Sequence, residues 1–272
     1  DKTVFYKIID IIQNKKVLIS GSWSLQRQQY GEQPHWMIVV LAAMIGQIGQ
    51  PGGGFGLGYS AENGIGNPVK HFKWPALNQF KNLITDFIPV ARYSDMLLNP
   101  GKNFTFNGQT YQYPNIKLVY WAGGNPFHHQ MNLSKLRKAT FKPDTIITNE
   151  IWWNSLARHA DIIFPTTTTL ERNDIGFRHW EQTVSPMHKA IDPIGNSRND
   201  FDIFSLISEK LGIKEQFTEN KNEEEWLKTL WDEAKESARE NNFYLPDFDQ
   251  FWNGGFFEVL KPTQEQILME DF

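Results

Sequence analysis

A tryptophan, a serine and an arginine lie close together in the segment GSWSLQRQQ, which follows a short apolar run. Trp23 offers a flat ring for stacking on a base, Ser24 offers a hydroxyl donor, and Arg27 offers a planar cation that suits phosphate. This combination favours a nucleotide-like ligand at the loop. The alternative is that Trp23 only covers the hydrophobic core at the surface.

A second polar group lies in the segment GGNPFHHQ. The two glycines before Asn125 allow backbone amides to approach a ligand closely, and Pro126 restricts the turn. His129 follows four residues after Asn125, although a histidine taken alone is more often structural. Asn125 and His129 are therefore candidate ligand contacts.

Two further polar clusters follow β-rich runs of the sequence. Asn149 and Glu150 end one run, where nucleotide-binding α/β proteins often place a polar group that binds the ribose. The other cluster, residues 171–174, contains Arg172. Its alternative interpretation is a solvated turn in which the charges pair with one another.

Four short β-rich runs precede these polar loops and predict the strands that position them. They span residues 17–19, 116–121, 145–148 and 161–164. Since ligands bind at the carboxyl ends of the strands in open α/β sheets, we expect the four loops to converge on one crevice. The alternative is that polar loops follow the strands of any α/β domain.

The whole pattern predicts an α/β protein with a parallel Rossmann-like sheet flanked by helices, a loop-rich insertion and a helical C-terminal part. Helical spacing is found over 3–14, and a further helix is expected from Pro34 to just before Gly46. Residues 49–68 are expected to form an ordered loop, and Asn107-Gly108 a hairpin turn. The predicted domains are a helical lead-in from a preceding domain (1–14), an α/β ligand-binding domain (15–212, with the insertion at about 49–115) and a helical extension (213–272).

Composition and the absence of standard motifs exclude several classes of protein. Lys plus Arg is 27 and Asp plus Glu is 31, so the net charge of -4 does not suit a nucleic-acid partner. The longest apolar run, 36–45, is too short to span a membrane as a helix. The chain has no cysteine, and the glycines at 52–58 fail the spacing of the NAD fingerprint. The missing glycine fingerprint disfavours an independent NAD-dependent enzyme. Phosphate-loop, hydrolase and zinc-protease motifs are also absent, which disfavours those classes.

Taken in order, five segments resemble the molybdenum enzymes of the dimethyl sulfoxide reductase family. They are GSWSLQRQQYGEQPHWM, GQIGQPGGGFG, WAGGNPFHHQMNLSKL, ITNEIWWNSLARHADIIFPTTTTLERNDIG and NSRNDFDIF. The resemblance runs through most of residues 1–260. Within the family it is strongest to the subgroup of biotin or methionine sulfoxide reductases and trimethylamine N-oxide reductases.

The resemblance implies a bis(molybdopterin guanine dinucleotide) molybdenum cofactor, with residues 15–212 binding one of the two dinucleotides. A carboxylate at Asp202 or Glu150 suits the paired N–H donors of guanine. By motif matching, the cofactor-binding residues are Trp23, Ser24, Arg27, Asn125, His129, Asn149, Glu150, Arg172 and Asp202.

The same resemblance implies that this chain is part of a longer oxidoreductase. The serine that binds molybdenum in the subgroup precedes residue 1, so we expect no catalytic residue and no metal ligand here, and no cofactor bound to the segment alone. The whole enzyme would reduce an S-oxide or N-oxide with electrons from a donor protein. The rival hypothesis is a non-catalytic nucleotide-binding α/β module. The substrate, the donor and the compartment, periplasmic or cytoplasmic, stay open.

Overall fold

The computed structural model of the protein describes residues 1–56, 72–177 and 183–259. Within them the helices are α1 (Lys2–Asn14), α2 (Glu32–Met44), α3 (Tyr93–Leu98), α4 (Pro126–His129), α5 (Leu133–Thr140), α6 (Asp200–Lys210), α7 (Lys214–Thr218), α8 (Glu223–Glu240) and α9 (Phe248–Gly254). The strands are β1 (Leu18–Ser20), β2 (Gly54–Gly56), β3 (Asn103–Phe106), β4 (Gln109–Gln112), β5 (Leu118–Ala122), β6 (Thr145–Glu150), β7 (Ile162–Pro165), β8 (Asp174–Phe177), β9 (Thr183–Met187) and β10 (Phe257–Glu258). No helix in this described part of the chain is long and apolar enough to cross a membrane.

The chain divides into two compact units, of which the first comprises Asp1–Trp74, Gly176–Ser185 and Glu233–Phe272. In this unit β1 pairs in parallel with β2, so that Leu18 lies opposite Gly54. At the carboxyl end of β1, a 3-10 turn over Trp23–Gln26 leads towards α2. β10 pairs with β9 in antiparallel orientation, and the side chain of Val184 on β9 is fully buried.

The second unit comprises Pro75–Ile175 and Pro186–Asp232 and contains a parallel sheet with the strand order β5-β6-β7. β6 is the central strand, and its β-branched residues Ile146 and Thr148 are almost fully buried. Leu136 on α5 is completely buried. Because the three strands are parallel, their carboxyl ends lie at one edge of the sheet, and three of the predicted polar loops begin there.

Most of the predicted elements are confirmed, including α1, α2, the hairpin β3–β4 and the three strands of the parallel sheet. The fold is a mixture of helices with parallel and antiparallel sheets. The predicted domain boundaries stay a prediction.

Two sequence expectations need correction. β1 does not hydrogen bond to β5, β6 or β7, because it pairs with β2 in a sheet of its own. The glycine-rich stretch contains this partner strand, and its remaining residues 57–68 lie outside the described part of the chain. A strand of two glycines around one phenylalanine has no pattern of β propensity, so only the tertiary pairing reveals it.

Candidate functional site

A cavity of about 400 Å³ lies at the carboxyl edge of the β5-β6-β7 sheet, within the second unit. The loops after all three strands contribute to its wall. Its lining residues are Gly123, Gly124, Asn125, Asn149, Glu150, Ile151, Asn154, Thr166, Thr167, Thr169, Arg172 and Asp200. Four of the residues predicted from the sequence, Asn125, Asn149, Glu150 and Arg172, are therefore brought together.

Three buried polar atoms at this cavity have no hydrogen-bond partner in the described structure: Asn125 Nδ2, Thr166 Oγ1 and Thr167 Oγ1. An unpaired polar atom inside a protein costs about 1–3 kcal/mol. Three such atoms around one cavity are consistent with a polar ligand that would complete their bonding. Together they supply one amide donor and two hydroxyls that can donate or accept.

The loop after β5 shapes one side of the cavity. Gly123 and Gly124 have positive φ angles of 98° and 77°, and no atom lies within 4 Å of the position that a Cβ would take at either residue. Backbone geometry, rather than lack of space, therefore favours glycine at both positions. Asn125 then caps α4, because its Oδ1 accepts a hydrogen bond of 3.0 Å from the amide of Phe127.

The end of β6 carries two polar side chains, Asn149 and Glu150, that already form hydrogen bonds within the protein. The Asn149 side chain accepts a hydrogen bond from the Tyr120 hydroxyl at 2.8 Å and donates one to Asp200 at 2.7 Å. Burial, and then the negative charge of Asp200, raise the pKa of Tyr120, so this hydroxyl remains a donor at neutral pH. Asn149 thus joins β5, β6 and the start of α6 at the cavity wall.

Glu150 shapes the following loop through both carboxylate oxygens. One oxygen accepts from the amide of Ile151 at 3.0 Å, and the other accepts from the Asn154 side chain at 2.7 Å. The carboxylate has a structural role in the loop and also lines the cavity.

Arg172 brings a positive charge to the cavity from the loop after β7. Its Nη2 lies 3.2 Å from Asp174 Oδ2, and its Nη1 lies 3.5 Å from the carbonyl oxygen of Thr167. The alternative of a mutually paired turn is correct for Arg172 and Asp174. It is wrong for Glu171, which is buried and binds backbone amides.

Two other predicted residues lie in the second unit but do not line this cavity. His129 is exposed at the end of α4. Asp202 is exposed on α6 and lines a separate cleft of about 700 Å³, together with Arg198, Phe201, Lys214, Lys221 and Glu225. Nearby Glu223 has a raised pKa, caused first by burial and then by the charge of Asp202.

The three remaining predicted residues lie in the first unit, after β1. The 3-10 turn leaves Trp23 41% exposed, so a planar group can reach this residue. Ser22 caps this turn by accepting a bond of 3.3 Å from the amide of Ser24, and the two serine hydroxyls lie 2.9 Å apart. Arg27 follows directly, and its amide donates to the Ser24 carbonyl at 3.0 Å.

Sequence reasoning missed Thr166, Thr167, Asn154 and Asp200 as cavity residues. The run TTTT directly after a predicted strand was a usable signal, because small hydroxyl residues at a strand end suit a polar site. Thr168 and Glu171 also have the spacing of a capping box, which the structure contains. Among the described residues, no group of three or more His, Asp or Glu side chains is arranged to hold a metal ion.

Comparison with known proteins gives one family match. A family model described as molybdopterin oxidoreductase matches residues 3–210. Biotin sulfoxide reductase of Cereibacter sphaeroides is 46% identical over 239 residues, which cover 88% of this chain and 32% of that protein. Trimethylamine-N-oxide reductase of Haemophilus influenzae is 43% identical over 252 residues, covering 88% of this chain and 30% of that protein.

The chain spans about a third of the length of these curated relatives. Among solved structures, acetylene hydratase from Pelobacter acetylenicus superimposes with a TM-score of 0.41 at 14% identity. That match covers 54% of this chain and 19% of the other.

Proposed function

The chain belongs to the molybdopterin oxidoreductase family, and from that premise we propose that it binds one molybdopterin guanine dinucleotide of a bis(molybdopterin guanine dinucleotide) molybdenum enzyme. The relatives named above are a sulfoxide reductase and an N-oxide reductase. The reaction that we propose for the whole protein is therefore reduction of an S-oxide or N-oxide. The motifs shared with this family extend through both described units.

One observation carries the proposal: the unpaired atoms Asn125 Nδ2, Thr166 Oγ1 and Thr167 Oγ1 all belong to the cavity at the sheet edge. A dinucleotide is rich in acceptors on its phosphates and sugars. It would supply the partners that these three groups lack, and the positive charge of Arg172 suits its phosphates. The residues present therefore fit the group.

The residues of this chain would bind and orient the dinucleotide. When bound, the molybdenum cofactor supplies oxygen-atom transfer and two-electron redox chemistry. Asn125 would donate from Nδ2 while its Oδ1 remains occupied in capping α4. Arg172 would present a cation whose position is held by Asp174.

Two carboxylates are candidates for guanine, and the structure favours Asp202. Both oxygens of Glu150 already accept hydrogen bonds from the loop that follows it. The carboxylate of Asp202 is exposed and accepts no hydrogen bond from the described residues, although its own amide donates to Asn199. Both acceptor atoms of Asp202 can therefore face the two N–H donors of guanine.

The proposal is tested by measuring the cofactor in the whole protein that contains this chain. The protein is purified from cells that make the cofactor, and molybdenum and acid-released guanosine monophosphate are counted per mole. The variant Asn125→Asp keeps the oxygen that caps α4 but replaces the unpaired donor by an acceptor. We expect it to lower both counts by roughly tenfold or more.

The matched control is Asn132→Asp, which changes the cap of α5 in the same way outside the cavity. We expect the control to keep the wild-type content. Equal content in Asn125→Asp and wild type would refute binding at this cavity. Guanine nucleotide without molybdenum, and no reduction of biotin sulfoxide or trimethylamine N-oxide by a reduced viologen, would favour a non-catalytic module instead.

A further inference from the structure

The loop after β7 contributes three of the groups on which the proposed cofactor site depends: Thr166, Thr167 and Arg172. The start of this loop is held by backbone hydrogen bonds to two neighbouring residues, Glu150 and Arg198. The amide of Thr166 donates to the Glu150 carbonyl at 3.2 Å. The amide of Thr167 donates to the Arg198 carbonyl, and the amide of Arg198 donates to the Pro165 carbonyl, each at 3.1 Å. These bonds fix the start of the loop, where the two threonines lie.

The far end of the loop is held by the buried carboxylate of Glu171, which is 5% exposed. One of its oxygens accepts from both the amide and the hydroxyl of Thr168 at 2.7 Å. The other accepts from the amide of Ile194, also at 2.7 Å. The Glu171 side chain therefore closes the loop on itself and joins it to Ile194, 23 residues further along the chain. The backbone reinforces this connection, since the amides of Ala190 and Ile191 donate to the Leu170 carbonyl at 2.8 and 3.1 Å.

The hydrogen-bond partners of Glu171 are neutral donors. The adjacent cation, Arg172, is paired with Asp174, while Glu171 is surrounded by backbone amides and the hydroxyls of Thr168 and Ser197. These donors hold the pKa of Glu171 below its ordinary value. Glu171 is not among the residues that line the cavity, so it does not compete there for a ligand.

We propose that Glu171 is a positioning residue, which holds the Thr166 and Thr167 hydroxyls and the Arg172 guanidinium at the cavity and so controls how firmly the dinucleotide is retained. The inference rests on the proposed function, because it needs a ligand at this cavity. It adds a residue that acts on that ligand only through its neighbours.

The principal variant is Glu171→Gln in the whole protein. Glutamine keeps the shape of the side chain, but its NH2 group must face at least one of the N–H donors that now bind an oxygen. We expect cofactor content, counted as molybdenum and released guanosine monophosphate, to fall by roughly fivefold or more. The control is Glu209→Gln on α6, an exposed carboxylate that lines neither cavity nor cleft, and it should keep wild-type content.

A double-mutant cycle separates positioning from general stability. Thr167→Val alone should lower retention, because it removes a hydroxyl that we assign to the ligand. Once Glu171→Gln has displaced the loop, adding Thr167→Val should cost less than about twofold more. Independent, multiplying losses would mean that Glu171 only supports the fold, and would overturn the proposal.

A gentler pair of variants keeps the test valid if Glu171→Gln does not fold. Thr168→Val removes the hydrogen bond that the Thr168 hydroxyl donates to Glu171, whereas Thr168→Ser keeps it. We expect the valine variant to lose retention and the serine variant to restore it, and the valine variant then replaces Glu171→Gln in the cycle. Equal retention in both variants would overturn the positioning role.

The two proposals fail in different ways. If Asn125→Asp and Thr167→Val both keep wild-type cofactor content, the cavity is not the binding site. If those variants lose cofactor while Glu171→Gln and Thr168→Val retain it, only the positioning role is refuted.

Discussion

The cavity at the sheet edge and the cleft beside α6 differ in size and in how far their polar groups have found partners. The cleft is larger, at about 700 Å³ against 400 Å³. Two of its cations are already paired: Lys214 binds Glu209 at 2.7 Å, and Lys221 binds Glu219 at 3.3 Å. The smaller cavity contains buried polar atoms that have no partner. We infer that incomplete hydrogen bonding, more than volume, distinguishes the cavity as the prepared part of the proposed site, to which the cleft would add the exposed carboxylate of Asp202.

The largest expected effect comes from removing the unpaired hydroxyls of the cavity. In the whole protein, Thr166→Val with Thr167→Val should weaken cofactor binding by roughly tenfold to a hundredfold, since two hydrogen bonds to the ligand are lost. The cofactor-free form, made in a host that cannot synthesise molybdopterin, should melt at an unchanged or higher temperature, because unpaired buried hydroxyls have been removed. A lower melting temperature with normal cofactor content would reverse this interpretation.

A second variant tests whether the cleft takes part in binding the cofactor. Asp202→Asn removes the carboxylate that we assign to guanine, and cofactor content should fall by about tenfold, because charge-assisted hydrogen bonds are lost. The control is Asp192→Asn, an exposed carboxylate paired with Lys189 that lines neither cavity nor cleft. A normal cofactor content in Asp202→Asn would mean that the cleft does not bind the cofactor, and would restrict the proposed site to the cavity.

A third experiment compares the carboxylate of Glu171, behind the cavity, with that of Glu209, which pairs with Lys214 of the cleft. The pKa of Glu171 is lowered first by the Thr168 amide and hydroxyl, whereas that of Glu209 is lowered first by Lys214. A lowered pKa in the folded state gives stability that is present above the ordinary value of 4.5 and is lost as the pH falls through the folded value. The free energy of unfolding of Glu171→Gln and of Glu209→Gln should therefore differ most from that of wild type at neutral pH. In acid the difference should become small.

Salt distinguishes the two carboxylates further. About 0.5 M salt screens an exposed ion pair, so the difference in melting temperature caused by Glu209→Gln should vanish. The difference caused by Glu171→Gln should persist, because neutral donors in a buried setting are hardly screened. Thermal unfolding of the cofactor-free protein at low and high salt measures both, and equal sensitivity to salt would contradict the assigned cause.

The smallest effect is expected at Lys221, which lines the cleft. Its ammonium lies 4.2 Å from the centre of the Trp226 ring and pairs with Glu219 at the surface. Lys221→Ala should cost less than about 1 kcal/mol of stability in urea unfolding, and it should leave the cofactor content unchanged. A clear loss of cofactor would show that the cleft binds ligand through its cations as well.

Local patterns in the sequence determined most of the elements and the family. Helical spacing predicts α1, Asn107-Gly108 predicts the β3–β4 hairpin, and β-rich runs predict β5, β6 and β7, because each depends on residues near in the chain. Asn125, Asn149, Glu150 and Arg172 could be grouped in advance, since the carboxyl ends of parallel strands share an edge. The ordered motifs identified the family that the comparisons confirm.

Only the tertiary structure decided which buried polar groups lack a hydrogen-bond partner. Thr166 and Thr167 resemble their neighbour Thr168 in sequence, yet only Thr168 finds a carboxylate partner. The local sequence predicts that Glu171 belongs to a charged surface turn. In the structure its carboxylate accepts a hydrogen bond from the amide of Ile194, which lies 23 residues away in the chain. In the same way, β1 pairs with β2, a strand of two glycines and one phenylalanine that the local sequence pattern does not predict. Hydrogen-bond satisfaction depends on which distant segments meet, and a local sequence pattern does not contain that information.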